Sequence, residues 1–508
     1  FVYSLNSSSE LSKLLEEQLE MQFGISYISS FLKERGYKTS LLILNRKSSP
    51  SLVDEYIKAT SPLLICFSAV ATEYAFIEKV ARGIKCRFPG IFLMIGGVHV
   101  SLCPEDAMLD VFDVLCINEG EFSTFELAKQ LADGVKPSGI ANLWIKHDEG
   151  IEKNSLRPFL QDLDSLPFPD RDMWQPWVKN LESRFGVLLG RGCPFSCTYC
   201  CNHVLKKLAV GNYVRYRSPE NILREVEYLV EKFPGLKEIY LEVETIGAAK
   251  LEWALELCVK LKIFNARRDL PVSFGVNLRV IKYEPGLEKL FIAFKESNFR
   301  HINIGLESGS ERVRYEILKR NYTNEDIVKT VDLARKYGLE VWFYNLIGLP
   351  GETAKDFKET IRMNRLCQPD FHYLSIFYPY PGTQLYSVCK KRGLLNQSSH
   401  EEKIERMSVF LDMPEFPSGQ IEEQFIWFDY FVYKGFRPPD QLLRDVASKF
   451  CLVYRKYSKF KLKLKFFKDV SRQLFLNGDY LSGLVLLGFV FNGFNRRLLG
   501  AGKRWSYK

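Results

Sequence analysis

The chain has 508 residues, 46% of them hydrophobic, enough to bury more than one core, so two or three domains are expected. Its net charge of +9 is concentrated: residues 451–508 carry thirteen Lys and Arg against two Asp, and everything before them sums to −2, which excludes a uniformly basic nucleic-acid binder. Twelve cysteines without a paired framework point to a reducing compartment and ligation chemistry rather than a disulfide scaffold, and no apolar run reaches the roughly 18 residues of a membrane-spanning helix.

The chain begins at Phe1 inside a strand-like run, so native residues are expected before it. Residues 1–140 alternate short β-branched runs with helical stretches, the pattern of a doubly wound parallel sheet. Strands are expected at 1–5, 39–44, 63–67, 91–95 and 114–117, with helices such as 24–35 and 74–88 between them. The ligand of such a sheet sits beyond the carboxyl ends of its strands. The segments there are Ser68-Ala-Val-Ala-Thr72, Gly96-Gly97-Val-His99 and Asn118-Glu119-Gly120-Glu121. Paired glycines let a backbone approach a bulky ligand, though they also suit a flavodoxin-like sheet whose glycines only serve turns.

Residues 141–182 read as a linker, with Leu166-Pro-Phe-Pro-Asp-Arg171 extended because residues before proline avoid helix. From 183 to 392 strand–helix units repeat, with strands at 185–189, 238–243, 272–277, 301–305, 341–346 and 371–377 and helices at 219–233, 251–264, 324–337 and 353–366. Six units suit a partial barrel, with chemistry at the carboxyl ends of its strands. Directly after the first of these strands comes Gly190-Arg-Gly-Cys193-Pro-Phe-Ser-Cys197-Thr-Tyr-Cys200-Cys201-Asn-His203. Cysteines spaced C-x3-C-x2-C can ligate three irons of a four-iron cluster and leave the fourth open to a small molecule. Taken alone, the spacing also admits buried structural cysteines or part of a zinc site. Cys201 points away from its neighbour and is read as a non-ligand; the other cysteines are scattered in apolar runs, as small core residues are. Later strand ends carry Glu242 and Glu244, Arg279, the Gly305-Leu-Glu307-Ser308-Gly segment, and Ile347-Gly348-Leu-Pro-Gly-Glu-Thr353. A carboxylate beside glycines can accept bonds from ribose hydroxyls, and Arg279 can pair a carboxylate. For Glu244 and Arg279 a solvated strand end is the competing reading.

With Tyr199 just before its last cysteine, the motif resembles the radical S-adenosylmethionine (SAM) signature. The three N-terminal segments resemble the cobalamin-binding domain that precedes many radical SAM enzymes, with Asn118 where that family has glycine. Pro379-Tyr-Pro-Gly-Thr383 also matches cobalamin-dependent members, so the resemblance runs through residues 1–392. It implies a [4Fe-4S] cluster on Cys193, Cys197 and Cys200, SAM at Glu242, Glu244, Arg279, Glu307, Ser308 and Gly348, and cobalamin at Ser68, Thr72, Gly96, Gly97, His99, Glu119 and Gly120. Another type of cobalamin domain supplies a histidine from Asp-x-His-x-x-Gly. The near match Asp370-Phe-His372 lacks the glycine and lies in the barrel, so no protein histidine is expected on cobalt.

The function so implied is methylation of an unactivated carbon through a 5′-deoxyadenosyl radical and methylcobalamin. A radical cyclase or ring-rearranging enzyme is the alternative, and a non-catalytic cobalamin or redox sensor a further one. Methylthiolation of tRNA fits less well, because no separate nucleic-acid barrel follows. The expected partners are a small-molecule or lipid-like substrate and a reductant such as flavodoxin or ferredoxin, with no nucleic acid, in the cytoplasm. Residues 393–508 are expected to be mainly helical. Their basic tail alternates Lys with apolar residues from Lys459 to Lys468 and then runs apolar from Tyr480 to Phe491. It reads either as a helix packed on the barrel beside a solvated basic face, the preferred reading, or as a peripheral contact with an anionic membrane.

Overall fold

The computed structural model describes residues 1–5, 15–107, 110–282, 285–395 and 404–454, with residue 469. The tail from 455 onward, including the apolar stretch read above as a packed helix or a membrane contact, lies outside the described residues apart from 469.

The first domain runs β1 (Val2–Leu5), β2 (Leu15–Glu17), α1 (Phe23–Glu34), β3 (Leu42–Asn45), α2 (Pro50–Thr60), β4 (Leu64–Ser68), α3 (Tyr74–Arg87) and β5 (Phe92–Gly96). It continues through α4 (Val98–Leu102), α5 (Pro104–Ala107), β6 (Val114–Cys116), α6 (Glu121–Ala132), β7 (Leu143–His147) and β8 (Gly150–Lys153). Its sheet has the order β3-β1-β4-β5-β6-β7-β8, parallel as far as β6. Every residue of β3 and β6 is buried, as strands covered by helices on both faces must be. The strand order reverses between β1 and β4, which is where a doubly wound sheet opens a crevice at its carboxyl edge.

The stretch expected to be a linker does more than connect. Its first part supplies β7 and β8, an antiparallel hairpin on the edge of the first sheet, turned at Gly150 with φ +141°. The alternating burial of Leu143–His147 carried that signal. Further on, Asp170 and Arg171 bind in opposite directions. Asp170 accepts from Ser29 Oγ at 2.6 Å and pairs with Lys33 at 2.7 Å, both on α1. Arg171 donates to the Gly186 carbonyl at 2.7 Å and to Glu225 at 2.5 Å in the second domain.

The second domain follows β9 (Val178–Asn180), which pairs with β2. It comprises β10 (Arg184–Leu188), β11 (Gly190–Arg191), α7 (Asn202–Leu205), β12 (Arg215–Tyr216), α8 (Pro219–Lys232), β13 (Glu238–Glu242), α9 (Leu251–Ala266) and β14 (Ser273–Leu278). After these come α10 (Pro285–Glu296), β15 (Phe299–Glu307), α11 (Asn324–Lys336), β16 (Glu340–Ile347), α12 (Ala354–Cys367), β17 (Phe371–Ile376) and α13 (Gln384–Lys391). Six strands pair in parallel in the order β10-β13-β14-β15-β16-β17. The observed strands overlap all six expected ones; α10 was not among the helices read from sequence. Ser218 caps α8 ahead of Pro219, and Thr323 and Thr353 form capping boxes with Asp326 and Asp356, so three helix starts are written in short local patterns.

Strand alternation sorts the barrel into an apolar outside and a polar inside. Ile239, Leu241, Phe274, Val276, Ile302, Ile304, Val341 and Phe343 pack beneath the helices. On the other face Tyr240 donates to Asn277 at 2.6 Å, and Asn303 donates to Tyr240 at 2.6 Å and to Tyr344 at 3.1 Å. Beyond the barrel, α14 (Ser418–Tyr433) and α15 (Pro439–Val453) close over β17. His372 is buried there, bonded to Asp429, which also pairs with Lys449 at 2.5 Å. His372 is therefore engaged inside the C-terminal core. No helix among the described residues is long and apolar enough to cross a membrane.

Candidate active site at the domain junction

The cysteine loop leaves β11 through Gly192 at φ +89°, where a Cβ would stand 2.2 Å from the Tyr213 carbonyl oxygen. No other residue fits that turn without moving the β12 side of the hairpin. The loop is then fastened at its middle: Thr198 Oγ1 donates to the Ile317 carbonyl at 2.6 Å, and its own carbonyl accepts from the Leu385 amide at 3.0 Å. Ile317 belongs to a π-helical turn, Val313–Leu318, inserted after β15.

Cys197 is buried, while Cys193 and Cys200 are partly exposed. Arg279, at the end of β14, donates to Cys197 Sγ at 2.7 Å and lies 3.9 Å from the centre of the Phe195 ring. Asn202 Nδ2 is 3.4 Å from Cys200 Sγ. A hydrogen bond from Cys201 lowers the Cys200 thiol to about 7, against burial; the same bond raises Cys201. Burial pushes Cys193 up to about 11, with the charges of Cys200 and Cys197 adding to it. Among the described residues no three His, Cys, Asp or Glu side chains close around one point as they would for a single ion. A cubane cluster asks for something else, since each thiolate takes its own iron. Three cysteines of one loop, near enough for the charges of Cys197 and Cys200 to act on Cys193 and two of them receiving donors, suit that group. Cys201 does not point away from its neighbour as expected: its thiol is hydrogen-bonded to Cys200.

The strand-end residues gather around this loop. Glu242 at the end of β13 is pushed up to about 8, first by burial and then by the charge of Glu244. Glu244 is exposed, and its charge acts on Cys193 and Cys200. Glu307 ends β15 in the left-handed region at φ +58° and pairs with Arg320 at 2.6 Å. Arg320 also donates to the Tyr199 hydroxyl at 2.8 Å, tying Glu307 to the cysteine loop. Two expected SAM contacts have other partners. Ser308 is fully buried, its hydroxyl 3.4 Å from Thr360 and accepting from the Ser310 amide at 3.2 Å. The Gly348 amide donates to Glu352 at 2.7 Å. Arg320 was not read from sequence, because its role depends on the π-helical turn that folds it back over β15; nor was the polar barrel lining, although its period-2 alternation was visible.

Across the junction stands the carboxyl edge of the first sheet. Ser68 and Gly96 are paired neighbours on β4 and β5. A Cβ at Gly97, φ +101°, would stand 2.7 Å from the Ala69 carbonyl oxygen, so this glycine keeps two strand ends in contact. His99 is buried on α4 with its ring 4.7 Å from that of Tyr74; its Nδ1 has no protein partner, and burial lowers its pKa. Thr72 donates to Glu405 at 2.8 Å, and Tyr380 after β17 bonds the same carboxylate. Gly120 sits where a Cβ would meet Ile28 at 2.9 Å. Glu119, expected against cobalamin, instead accepts from Arg191 at 3.0 Å, Arg215 at 2.8 Å and the Leu160 amide at 2.9 Å. Ser68, Gly96 and Gly97 stand half-buried at the carboxyl ends of β4 and β5, beside the reversal of strand order, which is where a doubly wound sheet takes its ligand.

Two family models match in succession: a B12 binding domain over residues 17–127 and the radical SAM superfamily over residues 187–363. Together they cover more than half of the chain. The chain is a radical SAM protein with a B12-binding domain. An uncharacterized methyltransferase of Pyrococcus horikoshii is 27% identical over 405 residues, covering 79% of this chain and 85% of the relative. The anaerobic magnesium-protoporphyrin IX monomethyl ester cyclase of Rubrivivax gelatinosus is 23% identical over 500 residues, 94% of this chain and 80% of the relative. Among solved structures, the cobalamin-dependent SAM radical enzyme OxsB with aqua-cobalamin bound superposes with a TM-score of 0.67 at 14% identity, over 99% of this chain and 83% of that one. The SAM methyltransferase TsrM of Kitasatospora setae, with cobalamin and a [4Fe-4S] cluster bound, gives 0.60 at 14% identity, over 88% and 90%. At such identities the structures establish the shared architecture. The radical SAM domain implies a [4Fe-4S] cluster and SAM, and the B12-binding domain implies cobalamin.

Proposed function

We propose that the chain is a cobalamin-dependent radical SAM methyltransferase acting on an unactivated carbon of a small-molecule substrate. The observation that carries this reading is the meeting, at one junction, of the three-cysteine loop at the barrel mouth and the carboxyl edge of a B12-binding sheet. When bound, the cluster with SAM supplies a radical able to remove a carbon-bound hydrogen, and cobalamin supplies a methyl group. The protein's share is placement: Arg279 and Asn202 orient two of the thiols, Glu242 and Glu244 offer carboxylates to a SAM ammonium, and Glu307 offers one to its ribose. Named methyltransferases among the relatives, including the cytidylyl-2-hydroxyethylphosphonate methyltransferase of Streptomyces wedmorensis, support the class of reaction.

Radical cyclisation is the second reading, favoured by one observation: similarity to the cyclase spans 94% of this chain, so it extends past the two shared domains. Anaerobic chain loaded with iron, sulfide and hydroxocobalamin, then given reductant and methyl-labelled SAM, tests both. Methyltransfer predicts 5′-deoxyadenosine and labelled cobalamin; cyclisation predicts 5′-deoxyadenosine without label on cobalamin. Absence of 5′-deoxyadenosine from a fully loaded protein would exclude both and leave the sensor.

A further inference from the structure

We propose that Glu119 is a positioning residue, a latch that fixes the edge of the B12-binding domain against the cysteine loop and so sets the separation of the two cofactor sites; the second half of that statement rests on the cofactor reading above. The loop is entered by β11 and left behind by β12, which pair antiparallel with Arg191 opposite Arg215. Two like charges facing each other across a ladder destabilise it unless something neutralises them. The first domain supplies that. Glu119 Oε1 accepts from both guanidinium groups, and Glu121 takes the second nitrogen of Arg191 at 2.5 Å. The side chains of Arg215 and Glu121 are only 5% and 4% exposed, so the charges depend on one another rather than on water.

The same four-residue segment is held from its other side. The Asn118 amide, at φ +71°, donates to Ser101 Oγ on α4 at 2.9 Å. Helix α4 in turn meets the loop after β17, where a Cβ on Gly382 would stand 2.8 Å from Leu102. Residues 118–121 thus bridge the helix following the Gly96-Gly97 turn to a hairpin whose first strand ends two residues before Cys193. Glu119 has both carboxylate oxygens engaged by protein. It therefore acts through the arginines and not by touching a cofactor.

Full-length chain carrying Glu119→Gln, Arg191→Gln or both tests the latch. Without cofactors, amide hydrogen exchange of residues 190–192 and 213–217 should quicken by roughly tenfold or more in each single variant, with the double variant no worse than the worse single. Exchange unchanged in both single variants would overturn the latch. With cluster and hydroxocobalamin loaded and reduced, the relaxation of the cob(II)alamin resonance by the cluster should weaken, because magnetic coupling falls steeply with distance and the latch no longer fixes it. A tenfold loss of hydroxocobalamin affinity in Glu119→Gln alone, with Arg191→Gln binding normally, would instead make Glu119 a cofactor contact and end the proposal. Should Glu119→Gln fail to fold, Arg191→Lys decides: it keeps the charge but loses the two-pronged fork, and exchange as slow as in the unaltered chain would contradict the latch. If the unaltered chain binds no cobalamin, the cofactor reading fails while the exchange measurement still settles the latch.

Discussion

Arg279 shows how one side chain tunes the cysteine loop. Its guanidinium donates to Cys197 Sγ while resting on Phe195, so it brings both a hydrogen bond and a positive charge to one sulfur. Both favour the reduced, more negative state of a cluster held there. Arg279→Met should therefore lower the midpoint potential of the reconstituted cluster by about 50 mV or more, read by redox titration of its paramagnetic signal. An unchanged potential with full iron content would show that the contact does not persist in the loaded protein. Cys193→Ala, Cys197→Ala and Cys200→Ala should each lose the four-iron signal on anaerobic reconstitution, and Cys201→Ala should keep it. Glu352 offers a test at a distance from the sulfurs. It is fully buried and, although it accepts from the Gly348 and Leu349 amides, burial pushes it up to about 8. An acid whose folded pKa is raised favours folding while protonated, so its contribution falls as pH climbs from the unfolded value of 4.5 towards 8. Glu352→Gln should then flatten that decline and gain on the order of 2 kcal/mol relative to the unaltered chain at pH 8, with little gain at pH 5. Urea midpoints at the two pH values measure it, and an equal shift at both would refute the assignment.

At the scale of elements, the connector between the domains behaves as a double-ended tie. Arg171 enters a buried group with Glu225, which also pairs with Arg217 at 2.5 Å, all three nearly without exposure. Taking the carboxylate away leaves two buried guanidinium groups uncompensated, whereas taking Arg171 away leaves Glu225 still paired. Glu225→Gln should cost about 3–5 kcal/mol in denaturant unfolding and Arg171→Met clearly less. Equal losses would mean that Arg217 does not share the carboxylate. The π-helical turn after β15 does comparable work for the site: it brings Arg320 back over Glu307 and gives the cysteine loop two carbonyl partners.

For the molecule as a whole, the two sheets meet carboxyl edge to barrel mouth, and the contacts that hold them include the Asp170–Arg171 tie, the Glu119 group, Glu405 between Thr72 and Tyr380, and Arg184 on Glu17. Such a junction should not come apart under mild proteolysis. Arg171 lies midway between the domains with 3% exposure, so trypsin under native conditions should leave that bond intact and heat should unfold the two domains together. Early release of two domain-sized fragments cut at Arg171, or two resolved thermal transitions, would show a looser junction.

The sequence by itself determined the strand–helix rhythm of both domains, since buried parallel strands need apolar runs and helix starts need Ser or Thr caps, both local patterns. It singled out the three candidate cysteines for the same reason: residues of one short loop lie close in the chain. It placed Arg279 and Glu307 at strand ends but not their partners, because Cys197 comes from a loop far away in the chain and Arg320 is folded back only by the π-helical turn. Tertiary structure alone decided that Glu119 faces two arginines from another domain, that Ser308 and the Gly348 amide turn inward, and that a supposed linker supplies an edge hairpin. Each of these depends on what lies opposite a residue in space. A loop of glycines and acids reads the same whether it will meet a ligand or a neighbouring arginine, and only packing sets which of the two stands there.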